Sequence, residues 1–477
     1  MLPQIRNQEH LFPVPKFTVS SNDVKNFTNE LKGFHEVFSD CFHRRESRGH
    51  FFRYMVGQFS ELERKSIEPI ALNVKDGNVR PMQRFISDAQ WDDDKILNKY
   101  HSLVNEDMGT NDGVLIFDES GFVKKGNDSI GVGRQYCGSI GKVENSQVGV
   151  FAAYASPYGY ALLDKRLFIP EKWFLDDYEL RRKKCKLPEN IEFKTKPQLA
   201  VQMLNNLVEE QIIPFKYVLA DSLYGTSPEF IEASESLIGT TYFVQVPEDT
   251  RCWLQRPITL EKQYKYKGEI RLKTVLEKTE KKPITVSTLA TNINNYFWYR
   301  RKVSEGTKGP IEYEFTKRRI ILSNNGLPQK TVWLIIRRTI EEEPVYKYFL
   351  SNAPTSARLS LFVWLSGIRW AIEQCFEETK SELGMDQYEV RKYAGWHHHM
   401  LTSMLAHFFL WHHKIRLGKK TPSITLSQLR ILLEAVLPLR HYDVDAAIEL
   451  VLWIQKKNHA AYLSHRRKRI KKSIKFH

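Results

Sequence analysis

Two aspartates in the sequence follow short apolar runs and could act as metal ligands. Residues 114–117 precede Asp118, and residues 217–220 precede Asp221. Such runs are typical of strands buried on both faces, and ligands of α/β sheets bind beyond the carboxyl ends of these strands. We therefore expect both carboxylates at one open site, with Glu119 on the opposite face of its strand. The alternative is that each aspartate only caps the turn that follows it.

A third carboxylate is predicted on a long helix over residues 357–383. The apolar residues of this helix form one stripe, and Arg369, Glu373 and Lys380 lie on the flank beside it. A solvated face of ion pairs would give the same pattern. If Glu373 instead converges with the two aspartates, the three carboxylates can hold two Mg²⁺ ions about 3.5–4 Å apart. Such a site activates a water or a hydroxyl for attack on a phosphodiester.

The chain is strongly basic, which indicates a polyanionic partner such as nucleic acid. It has 71 Lys and Arg against 56 Asp and Glu, a formal net charge of +15. Residues 465–477 hold seven of the basic residues and no acid, among them Arg466, Arg467, Lys468 and Arg469. We interpret this segment as an arm that contacts phosphates, and a solubility tail is the alternative. A glycoside hydrolase with paired carboxylates is disfavoured because it leaves the positive charge without a purpose.

The composition is that of a large folded protein. The 477 residues, of which 42% are hydrophobic and 27% charged, predict several domains. The five cysteines are far apart and none belongs to a C-x-x-C pair, so neither a disulfide framework nor a zinc ribbon is expected. No apolar run is long enough to predict a membrane span, and no secretory leader is expected. A cytoplasmic protein is the resulting expectation.

The elements that must position the acids change along the chain. Residues 1–108 predict helices, because apolar residues recur there at three- and four-residue steps. Basic residues of this region, among them Arg80 and Arg84, predict a DNA-binding region, and a plain helical bundle with a basic face is the alternative. Residues 109–247 predict three antiparallel strands and then strand, helix and strand, which is an α/β sheet.

The second half of the chain is predicted to interrupt that sheet and then complete it. Residues 248–350 predict a β-rich insertion, residues 351–395 contain the helix of Glu373, and residues 396–477 form a helical region with the basic tail. Short strands are expected in the insertion near residues 264–266, 284–289, 296–299, 319–322, 331–336 and 346–350.

These motifs resemble a known family. Asp118 in FDESGF, Asp221 in ADSLYG and the spacing Arg369-x3-Glu373-x6-Lys380 are similar to the DDE transposases of bacterial insertion sequences. Within them, the resemblance is to the IS-four superfamily with its Y-x2-R-x3-E-x6-K signature, and the segment from FDESGF to IPEKW is similar to its IS-seven-oh-one branch. The likeness spans residues 44–400, and Ser366 stands where the signature has tyrosine.

The resemblance implies a fold and a set of residue roles. The fold would be α/β, an RNase H-like catalytic domain with a β-strand-rich insertion, flanked by helical N- and C-terminal regions. Asp118, Asp221 and Glu373 would be catalytic and would ligate two Mg²⁺ ions, for which Mn²⁺ can substitute. Arg369 and Lys380 would contact DNA phosphates. Members of the family often stack a flipped base on a tryptophan, and the sequence does not choose among Trp253, Trp298, Trp333, Trp364 and Trp370.

The resemblance also implies an activity. A transposase of this family binds the terminal inverted repeats of its element, hydrolyses the DNA ends and joins the 3'-hydroxyl to target DNA. It works as a homodimer on double-stranded DNA, in the cytoplasm of a bacterium and in association with the nucleoid. The alternative function is a catalytically inactive or domesticated relative that only binds DNA.

Overall fold

The computed structural model describes residues 16–266, 269–306 and 309–474. The α-helices of these residues are α1 Ser21–Val37, α2 Arg45–Phe59, α3 Ile67–Asn73, α4 Val79–Ser87, α5 Asp93–Met108, α6 Glu179–Cys185, α7 Lys196–Glu210, α8 Ser222–Gly225, α9 Pro228–Ser236, α10 Val286–Thr291, α11 Leu359–Ile368, α12 Trp370–Leu383, α13 Tyr393–Leu417, α14 Leu426–Glu434 and α15 Val444–Ile474. The strands are β1 Val114–Val123, β2 Gly133–Cys137, β3 Lys142–Ser156, β4 Gly159–Phe168, β5 Tyr217–Ala220, β6 Thr241–Val246, β7 Arg251–Trp253, β8 Thr259–Tyr266, β9 Glu269–Leu276, β10 Ile284–Thr285, β11 Tyr299–Gly306, β12 Gly309–Asn324, β13 Leu327–Arg338 and β14 Tyr346–Ser351.

Helices α1 to α5 precede the first strand, and local capping residues start two of them. Ser20 caps α1 through a reciprocal pair of hydrogen bonds with Asp23, and the Asp92 side chain accepts from the N–H of Lys95 at the start of α5. Helix α1 ends at Val37, and a 3₁₀ turn at Ser39–Cys41 follows it.

The centre of the molecule is a mixed sheet with the strand order β4-β3-β1-β5-β6. Strand β3 pairs antiparallel with both β4 and β1. Strand β5 pairs parallel with both β1 and β6. Helix α7 connects β4 to β5, and α9 lies between β5 and β6 in the chain. Three antiparallel strands followed by two parallel strands with helical connections are RNase H-like, so the predicted fold class is confirmed. Strand β2, which pairs with the start of β3, was not predicted.

The strands of residues 248–350 continue this sheet. Strand β14 pairs antiparallel with β6, and β13, β12 and β7 follow in order, with β11 on β12 and β10 on β7. Together these strands make one sheet of 12 strands among the described residues. Strands β8 and β9 form a separate two-stranded hairpin.

Two strands predicted in this region are wrong. Residues 284–289 contribute only the two-residue strand β10, because Thr285 caps helix α10 and its side chain accepts from the N–H of Thr288. Val286, Leu289 and Ala290 are then buried at helical spacing. Residues 296–299 contain a 3₁₀ turn capped by Asn294, and strand β11 begins only at Tyr299.

The long helix predicted over residues 357–383 is two helices that meet at Arg369. Helix α11 ends at Ile368, and α12 begins at Trp370 and packs against β1, β3 and β4. Helix α13 follows and is buried on nearly all sides, in contact with β4, α12 and the N-terminal helices α2, α4 and α5. It joins the helical region and the sheet in one hydrophobic core. In the described part of the chain, no helix has the length and apolar character to cross a membrane.

Candidate active site

The strand register brings Asp118 and Asp221 side by side. Strands β1 and β5 are parallel, and their last paired residues are Phe117 and Ala220. Each aspartate is the next residue, so both lie where the parallel pairing ends, at the carboxyl edge of the sheet. Burial of all four residues of β5, and of the first four of β1, fixes this register.

Three carboxylates meet at this edge, and the third is Glu119. One ligand oxygen from each of Asp118, Glu119 and Asp221 lies within 4.8 Å of the others. The Glu119 carboxylate thus comes close to that of Asp118, although the two are neighbours in a strand and were expected on opposite faces. The Glu119 carboxylate accepts hydrogen bonds from the Tyr224 hydroxyl at 2.9 Å and from Lys196 Nζ at 2.8 Å. These two contacts draw its longer side chain toward α7 and α8.

Backbone amides orient the two aspartates. Asp118 Oδ1 accepts from the N–H of Glu119 at 2.7 Å. Asp221 Oδ1 accepts from the N–H of Leu223 at 3.0 Å and caps helix α8. Asp221 thus caps a helix, as the alternative interpretation expected, and its carboxylate also belongs to the acid cluster.

The electrostatics of the cluster fit a bound cation. Burial, together with the charges of Asp221 and Glu119, raises the pKa of Asp118 to about 8. Burial and the charge of Glu119 also raise the pKa of Asp221. Carboxylates that repel one another in a desolvated site are stabilised by a hard divalent ion, which prefers oxygen ligands. The residues present therefore fit a metal of the Mg²⁺ class.

Glu373 lies outside this group, and Arg369 interacts with both Glu373 and the two aspartates. Arg369 donates to Glu373 Oε1 at 2.6 Å across one helical turn, and the Glu373 side chain is 41% exposed. The charge of Arg369 also acts on Asp118 and Asp221, lowering the pKa of each. The structure thus pairs the Glu373 carboxylate with Arg369, the residue that precedes α12, and this arginine also acts on both aspartates.

Lys380, seven residues after Glu373 on α12, approaches strand β1. Its Nζ lies 5.4 Å from the centre of the Phe122 ring, and burial lowers its pKa. Arg80 and Arg84 are exposed on α4 and line an open groove together with Arg391 and Lys392.

The basic tail belongs to a long helix. Arg466 and Arg467 are exposed on α15. The side chains of Lys468 and Arg469 lie outside what the structure describes, as do residues 475–477.

The five candidate tryptophans differ in exposure. Trp253, Trp298 and Trp333 are buried, whereas Trp364 is 37% exposed and Trp370 is 51% exposed. Trp370 directly follows Arg369 and is the first residue of α12, the helix that carries Glu373.

The sequence missed three residues that shape this site. Glu119, Tyr224 and Lys196 form a hydrogen-bonded group next to the aspartates. The signal for Glu119 was its position next to Asp118, which strand alternation led us to discount. Tyr224 belongs to the ADSLYG motif, and its distance of three residues from Asp221 matches one turn of helix.

A strand pair that presents clustered carboxylates on an RNase H-like sheet defines a class of metal-dependent nucleases. Residues 37–310, more than half of the chain, match the family described as DDE superfamily endonuclease. The chain therefore belongs to the DDE superfamily of endonucleases.

Two individual proteins are similar to the chain. It is 26% identical over 353 residues to a protein of Microchaete diplosiphon described as a probable transposase for insertion sequence element IS701, covering 72% of this chain and 77% of that protein. This finding confirms the resemblance to the IS701 branch that the motifs indicate. A cryo-EM structure of the piggyBac transposase synaptic complex with hairpin DNA is 9% identical, covers 86% of this chain and 78% of that chain, and has a TM-score of 0.37, too low to support an inference.

Proposed function

We propose that the protein is a DNA transposase that binds the terminal inverted repeats of an insertion sequence, cleaves the DNA ends and joins the 3'-hydroxyl to target DNA. The observation that carries this proposal is the meeting of Asp118 and Asp221 where the parallel pairing of β1 and β5 ends, in a chain of the DDE superfamily. The net charge of +15 supports a DNA substrate. A homodimer holding both ends is part of the proposal and rests on the family resemblance.

The acids have separate tasks in this proposal. Asp118 and Asp221, which the N–H groups of Glu119 and Leu223 orient, would hold two Mg²⁺ ions. When bound, the metal supplies charge stabilisation for the phosphodiester and lowers the pKa of the attacking water or hydroxyl. Glu373 would be the third ligand if its carboxylate were released from Arg369, whose guanidinium can bind a DNA phosphate instead.

The decisive experiment is cleavage of a duplex that carries the ends of the element encoding this chain, with Mg²⁺ present or absent. We expect Mg²⁺-dependent nicking by the wild-type protein. Asp118→Asn, Asp221→Asn and Glu373→Gln should each reduce cleavage by about a thousandfold or more, because each removes a charge that the metal needs, while binding of the ends stays nearly intact.

The exposed Asp112→Asn, just before β1, is the matched control and should cleave like the wild type. Near-wild-type cleavage by any of the three acid variants would remove that residue from the site. Binding of the ends without cleavage by the wild-type protein would instead support the inactive relative.

A further inference from the structure

Two cations on strands β13 and β14 lie near the junction of helices α11 and α12. Arg337 on β13 and Lys347 on β14 are direct partners in the antiparallel register, so their side chains are neighbours on one face. Arg337 Nη1 donates to the hydroxyl of Ser366 on α11 at 2.9 Å. Ser366 precedes Arg369 by three residues and Glu373 by seven, which places all three along one side of the helix pair.

Among the described residues, neither Arg337 nor Lys347 forms an ion pair, whereas the adjacent Arg338 pairs with Glu314 at 2.7 Å. Arg337 lies over the Tyr313 ring, with its guanidinium carbon 4.3 Å from the ring centre.

Three positive charges therefore act on one negative charge in this region. Glu373 is bonded to Arg369, and the charges of Arg369 and Glu373 both act on Arg337 and on Lys347. Burial lowers the pKa of the Lys347 ammonium and of the Arg337 guanidinium. Partly buried cations in excess are stabilised when an anion binds among them, and a guanidinium and an ammonium both bind phosphate oxygens.

We propose that Arg337 and Lys347 form, with Arg369, a binding site for one backbone phosphate of the DNA strand that is cleaved, and that Ser366 is the positioning residue that holds Arg337 there. This inference rests on the proposed function, because it takes that DNA as its ligand. The position fits this ligand, since Arg369 is one of the three cations and its charge also acts on Asp118 and Asp221. The buried Ser366 hydroxyl is short enough to receive Arg337 where the family signature has tyrosine.

The first test measures the salt dependence of end binding by the full chain, without divalent metal. Arg337→Ala and Lys347→Ala should each reduce the slope of log affinity against log salt by about one, since each removes one phosphate contact. Arg338→Ala is the matched control, because Arg338 is the neighbouring arginine of the same strand and has its own acid. It should keep the wild-type slope. Thermal unfolding of each variant verifies that it is folded.

The second test locates the phosphate and isolates the role of Ser366. Single phosphates of the end duplex are replaced by uncharged methylphosphonates. At one position, neutralisation should weaken wild-type binding but leave Arg337→Ala binding unchanged. In Ser366→Ala, neutralising that same phosphate should weaken binding less than it does in the wild type. In Ser366→Thr, which keeps the hydroxyl, it should weaken binding as much as in the wild type.

The outcomes separate this inference from the function on which it rests. If the wild-type protein cleaves the ends while Arg337→Ala and Lys347→Ala keep its salt slope, the phosphate site is wrong and the function stands. If the wild-type protein binds the ends but does not cleave them, the proposed function fails instead. Equal losses at every methylphosphonate position would also overturn the site.

Discussion

Asp118 is a carboxyl group whose ionisation should be coupled to metal binding. Its pKa of about 8 arises from burial and from the charges of Asp221 and Glu119. From the usual aspartate range up to about pH 8, the folded protein holds a proton at Asp118 that the unfolded chain has lost. The free energy of unfolding should therefore fall as the pH rises through this interval. A divalent cation requires the ionised form, so it must displace this proton.

The expected result is a pH-dependent stabilisation by Mg²⁺. The increase in melting temperature on adding Mg²⁺ should be larger at about pH 8.5 than at about pH 6.5, because no proton has to be displaced at the higher pH. Asp118→Asn should remove most of the decline in metal-free stability between these pH values. Differential scanning calorimetry with Asp112→Asn as control measures both effects. An equal Mg²⁺ shift at the two pH values would contradict the coupling.

Single residues also show where reasoning from sequence stops. The apolar runs before Asp118 and Asp221 predicted both strands and their shared edge, because continuous burial leaves a clear pattern. The position of Glu119 depends on Tyr224 and Lys196, which lie 105 and 77 residues away in the chain. A long-range hydrogen bond of this kind leaves no periodic pattern in the sequence.

At the scale of elements, helix α12 carries two cations that we expect to bind DNA. Arg369 and Lys380 flank Glu373, and replacing either with Ala should weaken binding of the ends at moderate salt and reduce the salt slope by about one. Arg369→Ala should also lower cleavage further than Lys380→Ala, because Arg369 alone is bonded to Glu373.

Filter binding across a salt series, followed by single-turnover cleavage, distinguishes the two effects. Lys183→Ala is the control, since Lys183 is exposed on α6 and pairs with Glu179. If the salt slope of either variant equals that of the wild type, the replaced residue does not contact DNA and belongs to a solvated face of ion pairs.

Elements were predicted well where burial was continuous and poorly where capping decided the structure. Strands β5 and β14 lie close to their expected ranges. Thr285 and Asn294 start helical turns in a segment whose β-branched and aromatic residues favour strands, because their side chains satisfy the first free N–H groups. The break at Arg369 has no such cap, and the sequence did not predict it because no change in the apolar period marks the junction of α11 and α12.

At the scale of the whole molecule there are two basic surfaces, the groove lined by Arg80 and Arg84 and the basic tail at the end of α15. Arg80 and Arg84 line the groove from α4, and Glu68, which also lines it, pairs with Lys457 of α15. Helix α15, which carries the basic tail, therefore contacts the N-terminal helix α3 at Lys457. Helix α13 holds these parts in one core with the catalytic sheet.

We expect these two surfaces to contribute differently to DNA recognition. Side chains presented by a helix can reach base edges, whereas the composition of residues 465–477 suits phosphates. Deleting 465–477 should lower affinity for element ends and for scrambled DNA by similar factors, and this loss should shrink as salt rises, because exposed charges are screened within about 8 Å at physiological ionic strength. Replacing Arg80 and Arg84 with Ala should mainly remove the preference for ends.

Competition binding with end-containing and scrambled duplexes measures both ratios. Loss of end preference on tail deletion, or equal weakening of both duplexes by the arginine changes, would show that the division of labour is wrong.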